Sequence, residues 1–372
     1  CAGPAKHAAK APLFQKSARL QIWFVANAAR RGYAESTAPD GFSAGHRTKR
    51  QHVIERMWHI DNHLQKTRRA AAEPRERESG ELFLIMLPEL VMIFIFFYMP
   101  MFGVVIAFQD YVPGDPFFAF DGSTKWVGLQ HFKTFFSSIY FPRLLKNTLT
   151  LSLMNLAFGF WVPIAFALLL NEVTHLRYKK LVQTASYMPY FISMVVAAGM
   201  VVSFIEKDGL VNQIITLLGG DPVSFRTDPK WFPVVYTVTN IWKSFGWNSI
   251  LYLSAMASID PALYESARLD GANRWQQALH ITLPMIAPTI AIMLIFAVGD
   301  IMSSNTDLIL LLYNNATMKT ADVFGTYVYR EGLLTGKTSL GTAIGLFAST
   351  VNLILVFIAN KCSNKISGDG LF

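Results

Sequence analysis

The chain has 372 residues, of which 52% are hydrophobic and only 16% are charged, and its mean hydropathy is +0.32. Because a soluble domain carries about 25% charged residues, this composition excludes an ordinary water-soluble enzyme and indicates a membrane protein. The net charge of +8 comes from residues 1–80, which hold 15 Lys+Arg and 7 Asp+Glu, whereas the rest of the chain holds 18 of each. Since the charge is confined to one end, the sequence does not indicate a nucleic-acid-binding protein.

Residues 1–80 form a basic N-terminal extension. Residues 1–50 are rich in Ala, Arg, Gly and Ser and show little periodicity, so we expect partial disorder there. An amphipathic helix is expected near residues 51–69, where apolar residues recur at helical spacing among basic ones. Its apolar positions are Val53, Met57, Ile60 and Leu64. The helix would contact anionic membrane lipid on the cytoplasmic side; a solvated tail without function is the alternative.

Residues 81–372 contain six apolar stretches that are long enough to span a bilayer, which requires about 20 residues. They lie near residues 82–108, 144–170, 181–205, 232–257, 285–302 and 341–360. The fourth stretch is interrupted by Asn240, Lys243 and Asn248, which must face protein or a water-filled cavity. The sequence therefore predicts an all-α polytopic membrane protein with a six-helix transmembrane core.

The distribution of basic residues orients this core. If the N-terminus is cytoplasmic, the cytoplasmic segments hold 22 Lys+Arg and the opposite side holds 10. Because cytoplasmic loops are enriched in Lys and Arg, both termini are expected in the cytoplasm.

The cytoplasmic loop 258–284 carries a distinct pattern. Asp260 can cap a first short helix that begins with a proline, and Gly271 supplies the left-handed residue that ends it. Asn273 and Gln276 then form a capping box for a second helix. A simple connection could be much shorter, so this helix–glycine–helix unit is predicted to bind another protein.

The residues of this loop resemble the EAA loop of the ABC-importer permeases. The matching residues are Tyr264, Glu265, Ser266, Ala267, Asp270, Gly271, Ala272, Ile281, Leu283, Pro284 and Pro288. Ser266 stands where the family usually has a second alanine. The body of the chain is also similar to the oligosaccharide branch of the carbohydrate-uptake permeases. The similar segments are 100–103, 107–111, 321–323, 326–330 and 358–361.

The resemblance implies a permease of the bacterial inner membrane whose loop docks as a coupling helix into a cleft of a cytoplasmic ATPase subunit. Glu265 would pair with a basic residue of the ATPase, and Gly271 would permit the bend. The implied partners are a second related permease, two ATPase subunits and an extracytoplasmic solute-binding protein. ATP and Mg would be bound by the ATPase, so no cofactor is expected on this chain.

Polar and aromatic residues in the fourth and fifth spans are candidates for the substrate path, because sugar recognition uses aromatic faces with amide or charged groups. They are Asn240, Trp242, Lys243, Trp247, Asn248 and Asp300. Lys243 in the path would favour an acidic, uronate-type oligosaccharide such as an alginate fragment. Two alternatives stay open: Lys243 and Asp300 pair to bridge helices, or Trp242 only packs.

Other motifs do not indicate an enzyme. No nucleophile–base arrangement is recognisable, and residues 332–338 resemble a phosphate loop except that Glu331 stands where the first glycine is needed. His59, Asp61 and His63 have a spacing that could touch a metal, but their polar segment favours surface histidines and no metal site. The remaining alternatives are a permease for another solute class and an ion-coupled secondary transporter, which would require inverted repeats.

Overall fold

The fold is described from a computed structural model that covers residues 80–116 and 124–367. The predicted amphipathic helix near residues 51–69 lies outside these residues. The chain divides into two compact units, Cys1–Val91 and Met92–Phe372. In the first unit, the described residues are helical and exposed. In the second, the described residues form helices and an isolated antiparallel bridge between Gln109 and Trp126.

Among the described residues, four helices are long and apolar enough to cross a membrane. They are Gly80–Phe108, Phe141–Asn171, Arg274–Gly299 and Thr338–Lys365. The helices Leu176–Phe191 and Met194–Leu217 count as a fifth crossing if they are taken as one broken span, which is bent by 102°. These helices lie where the first, second, third, fifth and sixth spans are predicted.

The predicted fourth span is the helix Phe232–Ala257, here called the central helix. It is less apolar than the others and is not among the four apolar helices. Its 26 residues are nevertheless long enough for a crossing, since a helix of that length extends about 39 Å. It packs against the second span, the broken span and the helix Leu283–Gly299. Because other helices cover part of its surface, its polar residues need not face lipid.

Shorter elements connect or interrupt the spans. The remaining α-helices are Met99–Met101, Gln130–Phe136, Leu210–Leu217, Pro261–Leu269, Arg274–Gln277, Thr306–Leu312, Met318–Ala321 and Phe324–Tyr327. Phe102–Phe108 is a 3₁₀ helix. The π-helical segments are Phe94–Tyr98, Asn155–Gly159, Ala278–Thr282 and Val328–Leu334. The last long helix ends at Ser367.

Two apolar clusters fix the central helix near its ends. Near its start, Phe232 and Tyr236 are buried with residues of the second span, the broken span and the helix Thr306–Leu312. Near its end, Tyr252 and Met256 are buried with residues from the second span and the helix Leu283–Gly299. The middle of the central helix, which lies between these clusters, contains its amide and charged residues.

The loop that follows residue 299 is held by a buried carboxylate. Asp322 is 1% exposed, and it accepts hydrogen bonds from Arg143 at 3.0 Å and from Arg330 at 3.1 and 3.2 Å. Burial alone would lower the pKa of Arg330, but the hydrogen bonds and charge of Asp322 raise it. A buried charge requires such pairing, so this cluster ties the loop to the start of the helix Phe141–Met154.

Candidate functional site

A cavity of about 510 Å³ lies between the second span, the central helix and the helix Leu283–Gly299. Its polar wall comes from the second span, the central helix and the turn at 300–305. The polar lining residues are Ser152, Asn155, Tyr236, Asn240, Ser244, Asn248, Tyr252, Asp300, Ser303, Ser304 and Asn305. Apolar residues such as Phe160, Met293 and Phe296 complete it. Mixed apolar and polar lining of this size is typical of a small-molecule site.

The central helix contributes one regular face to this cavity. The residues on it follow each other at intervals of four, which places them above one another on a helix. They are Tyr236, Asn240, Ser244, Asn248 and Tyr252, and together they are called the cavity face. The face has a buried tyrosine ring at each end and three short polar side chains between them, which can form hydrogen bonds to hydroxyl groups.

Three amides form a chain of hydrogen bonds across the wall. Asn240 Nδ2 donates to Asn155 Oδ1 at 2.9 Å, and Asn305 Nδ2 donates to Asn240 Oδ1 at 3.2 Å. The backbone N–H of Asn305 also donates to the hydroxyl of Tyr236 at 3.0 Å. Asn155 begins the π-helical segment Asn155–Gly159, a feature that is frequent at functional sites. These hydrogen bonds join the second span, the central helix and the turn at 300–305.

Three other polar side chains of the wall have no hydrogen-bond or ion-pair partner in the described part of the chain. Within the described part of the chain, the side chains of Asn248 and Asp300 line the cavity without a hydrogen bond or ion pair to another residue. The hydroxyl of Ser304 is buried there and also has no partner in that part. A buried polar group normally has a partner, so the Ser304 hydroxyl is available to a ligand or to water, and the exposed side chains of Asn248 and Asp300 are accessible to both.

Lys243 lies on a different face of the central helix. Its ammonium donates to the carbonyl oxygens of Pro189, Tyr190 and Ile192 at 3.2, 3.1 and 2.6 Å. Lys243 therefore does not pair with Asp300, which excludes one of the two alternatives raised by the sequence.

The two tryptophans also lie away from the cavity. Trp247 stacks on Tyr190 with ring centroids 4.5 Å apart, and Trp242 lines a separate apolar cavity of about 440 Å³. Of the six residues expected in the path, the structure thus brings together Asn240, Asn248 and Asp300.

Several lining residues are absent from the predicted path. Tyr236, Ser244 and Tyr252 share the four-residue spacing with the two predicted asparagines, so that spacing could have identified them. Asn155 interrupts an apolar stretch, which is a weaker signal. Asn305 is one of the polar residues at the end of the predicted fifth span, which is a signal in the sequence, but its position at the cavity depends on the turn after residue 299.

The loop after the central helix has the predicted helix–glycine–helix form. Asp260 caps the helix Pro261–Leu269 by accepting from the N–H of Ala262 at 2.9 Å. Gly271 has φ +83°, a conformation that favours glycine. Asn273 and Gln276 then form both hydrogen bonds of a capping box, each at 2.8 Å.

Two contacts anchor this loop to the spans. The hydroxyl of Tyr264 lies 3.0 Å from the hydroxyl of Thr282, and its ring packs on the apolar cluster at the end of the central helix. The guanidinium of Arg274 donates to the backbone oxygen of Glu172 at 3.1 Å. The loop therefore has a fixed position relative to the second span and the central helix.

The outer side of the loop is exposed. Leu269 is 90% exposed and Trp275 is 68% exposed. Glu265 is exposed as well, and in the described part of the chain it has no ion-pair partner. A groove of about 350 Å³ lies beside them, lined by Ala267, Asp270, Gly271, Ala272, Gln276, Gln277, His280 and Ile281. Ser266 and Pro284 are exposed nearby. The loop therefore presents exposed apolar and charged groups next to a groove.

Comparisons with known proteins identify the family. The model of the binding-protein-dependent transport system inner membrane component family matches residues 82–367. YteP of Bacillus subtilis, a polygalacturonan/rhamnogalacturonan transport system permease protein, is 43% identical over 292 residues, covering 78% of this chain and 90% of YteP. Protein LplB of the same organism is 41% identical over 292 residues, covering 78% and 91%.

A solved structure agrees with this assignment. It is a bacterial ABC transporter involved in the import of the acidic polysaccharide alginate. The matched chain is 44% identical, the match covers 78% of this chain and 97% of that one, and the TM-score is 0.70. The protein therefore belongs to the family of inner membrane components of binding-protein-dependent transport systems.

Proposed function

We propose that this chain is the permease subunit of an ATP-driven, binding-protein-dependent importer of an acidic, uronate-type oligosaccharide such as an alginate fragment. One observation carries the proposal. The central helix lines a polar cavity with one face and ends at Ala257, a few residues before the exposed helix Pro261–Leu269. A substrate path and a surface for an energy-supplying partner are therefore parts of one continuous segment.

The exposed loop is proposed as the coupling helix for a cytoplasmic ATPase. Glu265 is free to pair with a basic residue of the ATPase, and Leu269 and Trp275 offer apolar surface that docking would bury. The surface would comprise Tyr264, Glu265, Ser266, Ala267, Asp270, Gly271, Ala272 and Pro284. Two ATPase subunits would bind and hydrolyse ATP with Mg, whereas this chain would hydrolyse none.

The transport cycle would follow from closure of the ATPase pair on ATP. The two coupling loops, one from this chain and one from a second related permease, would move together and shift the spans between inward- and outward-facing states. An extracytoplasmic solute-binding protein would deliver the sugar. Both termini would lie in the cytoplasm, and residues 1–80 would form a separate basic extension beside the lipid.

The sugar path would use the cavity face together with Asn155, Asp300 and Asn305. Their amides, hydroxyls and carboxylate match sugar hydroxyls. The acidic class is supported by the alginate importer, whose matched chain is 44% identical to this one. Lys243 gives that class no support, because its ammonium is bonded to backbone carbonyls.

Of the two alternative functions, one is excluded and the other is retained. Family membership excludes an ion-coupled secondary transporter. A different solute remains the second candidate, because the chain is also 27% identical, over 59% of its length, to the sn-glycerol-3-phosphate transport system permease protein UgpA of Pectobacterium atrosepticum.

Coupling is tested by the charge reversal Glu265→Lys in the complete importer. Loss of a buried intermolecular charge pair costs about 2–5 kcal/mol, so we expect ATPase co-purification and uptake to fall at least about tenfold. The matched control is Asp221→Lys, which reverses another exposed carboxylate far from the loop in sequence and should leave ATPase binding unchanged. Full co-purification and transport by the Glu265→Lys importer would contradict the docking role.

The substrate class is tested with the wild-type importer in liposomes. ATPase stimulation is measured with binding protein loaded with acidic or neutral oligosaccharides of equal length. We expect stimulation by the acidic sugars. Stimulation by neutral sugars alone would reject the uronate class but retain the importer, and the absence of any sugar response would reject oligosaccharide transport.

A further inference from the structure

The broken span consists of two helices that are separated by a sharp bend. Leu176–Phe191 stops at Phe191, and Met194 begins the next helix after a bend of 102°. Ser193 caps the second helix by accepting from the N–H of Val196 at 3.3 Å. The last carbonyl oxygens of a helix lack the usual intrahelical partners; here the carbonyl of Pro189 accepts from the N–H of Ile192 at 3.3 Å, whereas no backbone N–H is bonded to the carbonyls of Tyr190 and Ile192 in the described part of the chain. In a membrane-spanning region such carbonyls require donors from elsewhere in the protein.

Lys243 supplies these donors. A lysine ammonium has three N–H donors, and the Nζ atom of Lys243 lies within hydrogen-bond distance of three carbonyl oxygens, those of Pro189, Tyr190 and Ile192. The positive charge also lies at the end of a helix, where the dipole favours a cation. Because all three donors are used, none remains for a substrate carboxylate.

Two further contacts join the same helices. Trp247 stacks on Tyr190 with an interplanar angle of 3°, and the edge of its ring meets Phe191 at 5.6 Å between centroids. At Gly246 the helices cross closely, since an added Cβ would collide with the backbone oxygen of Ser186.

Gly246 and Trp247 follow Lys243 by three and four residues and therefore lie on the same side of the helix as Lys243; these three residues are called the clamp face. They are distinct from the residues of the cavity face. The central helix is thus joined to the break on one side and lines the cavity on another.

We propose that Lys243 is a positioning residue for transport. It holds the bend of the broken span against the central helix. The central helix continues into the proposed coupling loop. Movement of that loop would therefore reach the broken span through the clamp face, without contact between Lys243 and the substrate. This inference rests on the proposed function as an ATP-driven importer.

The test compares wild type, Lys243→Met and Lys243→Arg in the assembled importer, with uptake of acidic and neutral oligosaccharides into liposomes. Lys243→Met should retain the co-purified ATPase, because the loop is unchanged. Its uptake should fall about tenfold, within the usual range of coupling effects. The ratio of acidic to neutral uptake should not change. Lys243→Arg, which keeps a cation with several donors, should restore uptake to within about threefold of wild type.

Three results would overturn the inference: wild-type uptake by Lys243→Met, no restoration by Lys243→Arg, or a changed ratio of acidic to neutral uptake. If Lys243→Met does not assemble, Trp247→Leu provides the decision, because it keeps the ammonium and removes only the stacking. Its uptake should fall by a smaller factor with an unchanged ratio, and wild-type uptake would overturn the inference. Absence of ATP-dependent uptake in wild type itself would reject the proposed function instead.

Discussion

The cavity face and the clamp face of the central helix use polar residues in opposite ways. On the cavity face, Asn248 has no partner within the described part of the chain, and Asn240 bonds only to other amides of the wall. On the clamp face, every donor of Lys243 is bonded to a backbone carbonyl. A charge inside a span therefore does not by itself mark a substrate path. The number of hydrogen-bonding groups left unused distinguishes the two faces.

The largest effect is expected where the clamp face of the central helix crosses the helix Leu176–Phe191. Gly246→Ala places a methyl group against the backbone oxygen of Ser186, so the two helices must separate. Overpacking of this kind costs about 1–3 kcal/mol, and we expect a lower thermal inactivation temperature and a much lower yield of assembled importer.

The control is Gly199→Ala, because a Cβ there meets nothing within 4 Å. Alanine is favoured over glycine within a helix by about 1 kcal/mol, so this variant should match or exceed wild type in stability. Equal behaviour of the two variants would mean that the close crossing does not exist.

Two substitutions on the cavity face, Asn240→Leu and Asn248→Ala, separate the residue that forms internal hydrogen bonds from the residue that forms none. Asn240→Leu leaves Asn155 and Asn305 without their partner, and each unsatisfied buried group costs about 1–3 kcal/mol. We expect lower thermal stability and about a tenfold loss of uptake. Asn248→Ala removes no internal hydrogen bond, so uptake should fall while stability stays within about 0.5 kcal/mol. Unaltered stability of Asn240→Leu would contradict the amide chain.

The smallest expected effect concerns Asp300, whose carboxylate lines the cavity. If acidic sugars pass, Asp300→Asn should raise acidic over neutral uptake about fivefold, since like charges roughly one sugar ring apart repel by about 1 kcal/mol. Asp307→Asn is the control, because Asp307 is exposed and outside the cavity lining. An unchanged ratio in Asp300→Asn would separate this carboxylate from the path. The Asp300 and Lys243 substitutions together show whether a residue of the cavity or a residue of the clamp face changes the preference for acidic over neutral sugars.

Local signals in the sequence predict much of this fold. Long apolar stretches correspond to the helices Gly80–Phe108 and Phe141–Asn171 because bilayer thickness fixes their length. The caps at Asp260 and Asn273 and the turn at Gly271 depend only on neighbouring residues, so the loop has the form that its sequence predicts. The EAA resemblance likewise agrees with the family shown by the comparisons.

The path could be predicted only in part, because membership in a cavity depends on which side of a helix a residue occupies. Lys243 and Ser244 are adjacent in sequence, yet one bonds to the break of the third span and the other lines the cavity. The break at Ile192 is a tertiary feature as well, since its carbonyls are satisfied from a helix that begins 40 residues later. Periodicity identifies a face, but only packing shows what it meets.

The exposure of Leu269 has a consequence for the life of the protein before assembly. A leucine that is 90% exposed, with Trp275 nearby on the same loop, is an apolar surface on a water-facing segment. Chaperones and proteases bind such surfaces, and the fraction of a protein that remains uncovered is continuously removed in cells. A subunit made in excess of its partners would therefore display its own degradation signal. The same residues that would couple transport to ATP would limit the number of orphan permeases in the membrane.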